Sequence, residues 1–464
     1  MFESSVYSQR RNALRQRMGT SKGIVLLPGH LQSPINFAHN LYPFRQDATF
    51  SYFFGLNRPG LLGLIELESD VDTLFVEEES DPDAIIWQGQ APSWEHLALA
   101  SGCQQIKPLR FAQTAVNKAT RGERPLHFLA PYRCETTHLL SRLLQRTPEA
   151  IAGQVSRVLI HAVVALREVK ADIELHEIES ALKVTEQMHR LAMRLTRPGV
   201  FEREIVAHMR QILGREGLQE AYAPVFSNRG EILHNLTHGN CLASGDLVIN
   251  DAGANSPLGY ASDVTRTLPV GGRFLAHQRP LYDLLLEVQE HAIDMLCPGI
   301  SYLDVHLGAA LKLAEGMKAL GFFNGCAEDI VASGAYALCF PHGLGHLLGL
   351  DVHDMESLGE HHVGYDAQVS RSPLFGLRNL RLAKVLKRHM TLTVEPGIYF
   401  IPALIQRWQA EKHHSGLINY QRFFDYQHAG GLRIEDVVVV EEHGARVLGP
   451  LIPKHPNDVE NAMA

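Results

Sequence analysis

Short apolar runs bounded by turn-forming residues recur through the first third of the chain, and longer helical and alternating patterns follow. SKGIVLLPG (21–29), LLGLIELES (61–69) and DTLFVEE (72–78) have the pattern of short buried strands. The polar segment VYSQRRNALRQRM (6–18) predicts a surface helix. Strands alternating with helices predict an α/β domain of about 150 residues.

A helix-rich stretch follows, roughly 136–216. Residues 155–170 lead out of the first domain. Residues 172–196 keep a long helical period that stops at Arg197-Pro198-Gly199, and 201–217 form another helix ended by Gly217. The expected boundary lies near residue 165, giving domains 1–165 and 166–464. From 218 onward β patterns dominate, at 245–251, 263–270, 390–400 and 432–442, with helices near 275–296 and 302–320. This predicts an α+β domain with a mainly antiparallel sheet. The segments 356–389 and 401–430 read as long excursions, and long loops in compact domains are often functional.

Length supports the two-domain reading, since 464 residues exceed what one core usually serves. A hydrophobic share of 45% and a charged share of 20% suit a soluble globular protein. With a net charge of −8 and no long Lys/Arg run, neither nucleic acid nor a membrane surface is an expected partner. The longest apolar runs, such as 158–166, are about half of a membrane span. The N-terminal residues carry no apolar signal segment. Cys103, Cys134, Cys241, Cys297, Cys326 and Cys339 form no CxxC pair, so their scatter suggests reduced thiols and a cytoplasmic location.

Against this ordinary background stand Asp251, Asp263, His346, Glu395 and Glu435, each of which follows or interrupts an apolar β-type run. Asp251 and Asp263 are twelve positions apart, separated by the turn-rich AGANSPLGYAS. A hairpin there would let both carboxylates face one pocket, although a lone Asp at a strand end is also a common turn residue. Glu395 precedes a proline in LTVEP, and Glu435 heads LRIEDVVVV. A Glu buried in a strand needs a partner. A salt bridge or an outward-facing side chain would also satisfy it. Asp436 cannot share the face of Glu435, because strand side chains alternate.

Two carboxylates about 4 Å apart repel by roughly 4 kcal/mol at an effective dielectric near 20. Four in one pocket call for cations, and two divalent ions would offset their charge. Oxygen ligands with one imidazole suit Mn, Co, Mg or Zn. Paired metals can activate a bridging water and polarise a carbonyl. PHGLGHLLGLDVHD (341–354) adds His342, His346 and His353, a density unusual for a solvated face. Core histidines bonded to backbone remain the bland alternative, and the segment is not an HExxH zinc motif. His234 and Arg433 gain interest only from these neighbours.

In this order, VINDAG (248–253), YASDVTRT (260–267), HGLGH (342–346), LTVEPG (392–397) and GLRIED (431–436) resemble the pita-bread metallopeptidase family. The likeness is to its proline-specific branch of Xaa-Pro aminopeptidases and prolidases, and it extends over nearly the whole chain. It implies a creatinase-like α/β N-terminal domain and a pita-bread α+β catalytic domain. It also implies two divalent metal ions, most often Mn2+, held by Asp251, Asp263, His346, Glu395 and Glu435. Glu395 would double as base. His353, His234 and Arg433 would serve catalysis, and His342 and Arg381 would face substrate. The segments 42–56 and 85–89 resemble the family's non-catalytic domain, in which Trp87 could border a neighbouring subunit's active site.

The resemblance therefore implies hydrolysis of the Xaa-Pro bond at the N-terminus of peptides, by a homodimer or homotetramer. The long 401–429 segment and GLRNLR (376–381) resemble prolidase instead, where Arg381 would bind a dipeptide's terminal carboxylate. A non-catalytic peptide-binding module and creatine-type C–N hydrolysis are remoter readings. The Asp251–Asp263 spacing is one residue longer than the resemblance leads one to expect. If that residue shifted the strand register, Asp263 would face away from the pocket.

Overall fold

The structure, a computed structural model, describes residues 1–78, 83–121 and 124–464. Its contacts divide the chain into two compact units. One comprises Met1–Arg167 with Ser357–His362, and the other Glu168–Glu356 with Val363–Ala464. A six-residue piece from the middle of the expected 166–464 domain thus groups with the N-terminal unit.

The first unit is built on a five-stranded mixed sheet in the order β4-β3-β2-β1-β5. Its strands are β1 (Ile24–Pro28), β2 (Leu61–Glu66), β3 (Asp72–Val76), β4 (Gln105–Pro108) and β5 (Leu126–His127). Register places Ile24, Leu26, Leu62, Leu64 and Phe75 on one face, where they join Val116, Leu139, Leu140 and Ile151 in a core. The helix Ser4–Met18 is less superficial than its polar composition suggests. It buries Arg11, whose Nε donates to Asp72 at 2.6 Å and whose Nη1 donates to the Phe53 carbonyl at 2.7 Å. A fully bonded guanidinium can be buried where a lone charge cannot.

The second unit opens with the helices Asp172–Leu195 and Glu202–Glu216. In the first, Leu175, Ile178, Leu182, Thr185 and Met188 keep an i, i+3/i+4 spacing and are buried. Three antiparallel sheets follow: β6-β7-β8, β13-β12-β9 and β10-β11. Their strands are β6 (Val225–Ser227), β7 (Leu247–Ala252), β8 (Val264–Pro269), β9 (Thr391–Val394), β10 (Gly397–Tyr399), β11 (Gly431–Arg433), β12 (Asp436–Val440) and β13 (Ala445–Val447). The helices Arg279–Asp294 and Tyr302–Ala319 lie between β8 and β9 in sequence.

Two stretches read as continuous strands, 390–400 and 432–442, are each interrupted. The first breaks at Glu395-Pro396 and the second at Ile434-Glu435, and pairing changes partner across the gaps: β9 pairs with β12, and β10 with β11. Pro396 has no N–H to continue a ladder. The 401–430 excursion contains the helices Pro402–Ala410 and Tyr420–Asp425. No helix among the described residues is long and apolar enough to cross a membrane.

The hairpin β7–β8 carries the longer turn without a slip. Pairing from Leu247↔Pro269 to Ala252↔Val264 continues in the same register to Asn255↔Ala261. Gly259 takes a φ of 86°, the left-handed residue that three-residue hairpin loops require. In this register Asp263 lies opposite Gly253, two positions from Asp251, so both aspartates share a face.

Candidate metal centre and active site

All ten residues nominated from the second half of the sequence line one cavity of about 400 Å3. They are Asp251, Asp263, His346, Glu395, Glu435, His234, His342, His353, Arg381 and Arg433. Trp87 is not among the lining residues; it sits 81% exposed on the short helix Ala84–Gln88.

Asp251 is the penultimate residue of β7, and Asp263 immediately precedes β8. The Tyr222 hydroxyl lies 2.5 Å from a carboxylate oxygen of each. Glu395 and Glu435 occupy the two strand interruptions, where no continuous ladder fixes their side chains. Glu395 is instead tied to Leu344, whose carbonyl accepts from its N–H at 2.8 Å. Glu435 bridges to Thr265 through backbone, and its Oε2 accepts from Thr265 Oγ1 at 2.7 Å. Thr265 is two positions beyond Asp263 and therefore on the same face.

His346 reaches the cluster because β9 passes close behind it. Its backbone N–H donates to Thr393 Oγ1 at 3.1 Å, and its carbonyl accepts from the Thr393 N–H at 3.0 Å. A Cβ at Gly345 would meet the Thr393 carbonyl oxygen at 2.0 Å, so only glycine permits this approach.

Ligand atoms of Asp263, His346 and Glu435 lie within 4.8 Å of one another, the one such group of three or more among the described residues. His346 Nδ1 lies 3.1 Å from the Leu347 carbonyl, which makes Nδ1 the donor and leaves a lone pair on Nε2. That Nε2 faces Asp263 Oδ2 at 3.4 Å and Glu395 Oε1 at 3.5 Å. Burial pushes the His346 pKa down to about 4, so the ring is neutral. Burial, reinforced by neighbouring carboxylates, pushes the Asp263, Glu395 and Glu435 acids well above their ordinary range. At a separation within 4.8 Å, ionised Asp263 and Glu435 repel by roughly 3 kcal/mol at a dielectric near 20. Lone pairs and buried carboxylates facing one another fit divalent cations, and the one guanidinium bonded there cannot balance four acids.

That guanidinium is Arg433. Its Nη2 donates to Asp251 at 2.6 Å, its Nη1 to the Tyr399 hydroxyl at 2.9 Å and its Nε to Thr265 Oγ1 at 3.2 Å. The Tyr399 hydroxyl also meets His342 Nε2 at 2.9 Å. Burial, with Arg433 next, lowers the His342 pKa to about 3, so His342 offers hydrogen bonds as a neutral ring. His353 is likewise lowered to about 4, by burial and then by His346. Its Nδ1 lies 2.5 Å from Glu356 Oε2, which also accepts from Arg381 Nε at 3.3 Å. His234 is exposed at the cavity wall, where desolvation still lowers its pKa.

Beneath the cluster, Asp436 faces away. It is paired with Arg266 at 2.7 Å and Lys454 at 3.0 Å, and it accepts from Gln289 at 2.9 Å. Arg266 Nη1 in turn donates to the Glu435 carbonyl at 2.6 Å.

Tyr222, Tyr399 and Glu356 belong to this arrangement but were not nominated from sequence. Single tyrosines carry no spacing signal. Glu356 had one, three positions after His353. Thr265 was readable from alternation after Asp263.

A family profile described as metallopeptidase family M24 matches residues 176–442, and one described as the aminopeptidase P N-terminal domain matches 7–127. The human Xaa-Pro dipeptidase is 28% identical over 431 residues, covering 91% of this chain and 84% of that protein. The Xaa-Pro aminopeptidase of Haemophilus influenzae is 28% identical over 426 residues, covering 91% and 89%. The structure of Escherichia coli aminopeptidase P with the inhibitor Pro-Leu superposes with a TM-score of 0.81 at 26% identity, covering 100% of this chain and 98% of that one.

Proposed function

Because the chain belongs to metallopeptidase family M24, we propose that it is a Xaa-Pro aminopeptidase, hydrolysing the bond between an N-terminal residue and a following proline. The observation that carries this reading is the His346 Nε2 lone pair aimed at Asp263 and Glu395 within a cavity lined by four acids. Bound among Asp251, Asp263, His346, Glu395 and Glu435, two divalent cations, Mn2+ in our reading, would supply Lewis acidity and a low-pKa water.

The chain's own residues do the rest. Glu395 accepts the proton of the attacking water, from its place in the strand interruption beside His346. Neutral His234 donates a hydrogen bond to the developing oxyanion at the cavity wall, and His353, whose Nδ1–H is already given to Glu356, joins it when its Nε2 takes up a proton. Arg433 fixes Asp251 and, through Tyr399, His342. The wall residues Val225, Leu233, Leu236 and Val352 give the proline ring an apolar seat. We take the N-terminal domain 1–165 as non-catalytic, with Trp87 bordering the active site of a neighbouring copy in a homodimer or homotetramer. A cytoplasmic location accords with six free cysteines.

Arg381 on the cavity wall favours the second reading, prolidase, because a guanidinium can clamp a dipeptide's carboxylate. Hydrolysis of Xaa-Pro and Xaa-Pro-Yaa-Zaa, measured side by side with Mn2+ supplied, tests both. Faster turnover of the longer peptide is the expected result. Inertness toward both would overturn the peptidase reading.

A further inference from the structure

We propose that Glu356 is a specificity-determining residue, whose carboxylate opposes a free carboxylate at Arg381 and so turns the site from dipeptides toward longer peptides. The inference rests on the peptidase reading above and adds the substrate's length.

Two guanidinium groups line the cavity, and they are not equivalent. Arg433 is buried and committed to Asp251, Tyr399 and Thr265. Arg381 is 37% exposed, and its charge reaches His234, His342, His346, His353 and Glu395. It is therefore the cation open to an incoming anion. A substrate with its scissile carbonyl at the acid cluster carries its next backbone carbonyl one residue further along. In a dipeptide that group is a carboxylate, which a guanidinium recognises well. In a longer peptide it is a neutral amide.

Glu356 changes the balance. One of its oxygens, Oε2, is shared by His353 Nδ1 and Arg381 Nε. The His353 hydrogen bond, with Arg381 adding to it, holds the carboxyl at about 2, so it stays anionic at neutral pH. An anion arriving at Arg381 must share that cation with Glu356 and meets its repulsion. A neutral amide does neither. Both partners are partly exposed, so the effect matches a surface ion pair, about three- to fivefold in affinity.

The test uses the Mn2+-loaded enzyme and three substrates: Ala-Pro, its C-terminal amide, and Ala-Pro-Ala-Ala. Glu356→Gln keeps an acceptor for His353 and removes the charge. It should raise the Ala-Pro to Ala-Pro-Ala-Ala ratio of kcat/KM about three- to fivefold, through a lower KM for the free dipeptide, while the amide follows the tetrapeptide. Adding Arg381→Gln should erase the gain, and Arg381→Gln alone, which leaves Glu356 in place, should lower the ratio below wild type. An unchanged ratio, or an equal fall in kcat on all three substrates, would overturn the proposal and leave Glu356 as a support for His353. Wild-type inertness toward all three would overturn the peptidase reading itself, and this inference with it.

Discussion

Replacing Arg266 by glutamine removes the cation beneath the acid cluster, and the structure sets the size of the effect. The Arg266 side chain is 1% exposed and that of Asp436 8%. Arg266 donates to Asp436 and to the carbonyls of Thr265, Glu435, Ile452 and Pro453. Breaking a buried ion pair by removing one partner costs about 3–5 kcal/mol. Asp436 would retain Lys454 and Gln289, which argues for the low end. Four carbonyls would lose a charged donor, which argues against anything smaller. The expected loss is about 3 kcal/mol, a large share of the 5–15 kcal/mol typical of a domain. Of the three tryptophans, Trp408 alone lies in the second unit, so its fluorescence in a W87F/W94F background reports on that unit. Urea unfolding should show a lower midpoint at unchanged slope. A loss below about 1 kcal/mol would refute the idea that this pair anchors the strand interruption at Glu435.

Three further outcomes follow from the same geometry. Glu395→Gln should lower kcat at least about a hundredfold. It should also leave the metal-free melting temperature equal or higher, since it removes one of four mutually repelling acids; a rate within tenfold of wild type would contradict the base assignment. Stripping metal with a chelator should abolish turnover, and Mn2+ at a hundred times its Kd should restore about 2.7 kcal/mol of stability, read as a rise in melting temperature. No thermal shift on adding metal would count against the site. Burial alone would raise the Glu168 carboxyl, but Lys384 and Lys387 outweigh it and hold the group below its ordinary value. Its stabilisation is therefore full above about pH 4.5 and disappears as pH falls through the lower folded value. Glu168→Gln should flatten the acid limb of a stability-versus-pH curve, and an unchanged limb would refute the assignment.

The acids of the cavity were legible because a buried carboxylate in an apolar strand is costly enough to demand a reason. The turn-rich segment between them then placed Asp251 with Asp263, and alternation separated Glu435 from Asp436. The strand interruptions at Glu395 and Ile434-Glu435 were not legible, because apolar residues continue through both gaps and the pattern reports burial rather than hydrogen-bond partners. The helix predicted over 6–18 is less superficial than its composition suggests for a related reason, the burial of Arg11. Its burial depends on Asp72, Phe53 and Ser101, and none of these is near it in sequence. Tyr222 and Tyr399 act through hydroxyls that find partners only once the sheets have assembled, so nothing local marks them.

The N-terminal unit is discontinuous, and this has a consequence for how the protein is made. His161 and His362 meet at 3.1 Å within that unit, and Leu358 lines a small cavity there with His30 and Tyr132. A ribosome that has finished Arg167 must still add roughly 195 residues before His362 emerges. At about 5–20 residues per second that is a delay of about 10–40 s. For that interval the nascent first unit is incomplete however well its sheet has formed. A gene cut after Arg167 would make the incompleteness permanent, whereas grafting the six-residue piece onto its end would restore the missing contacts.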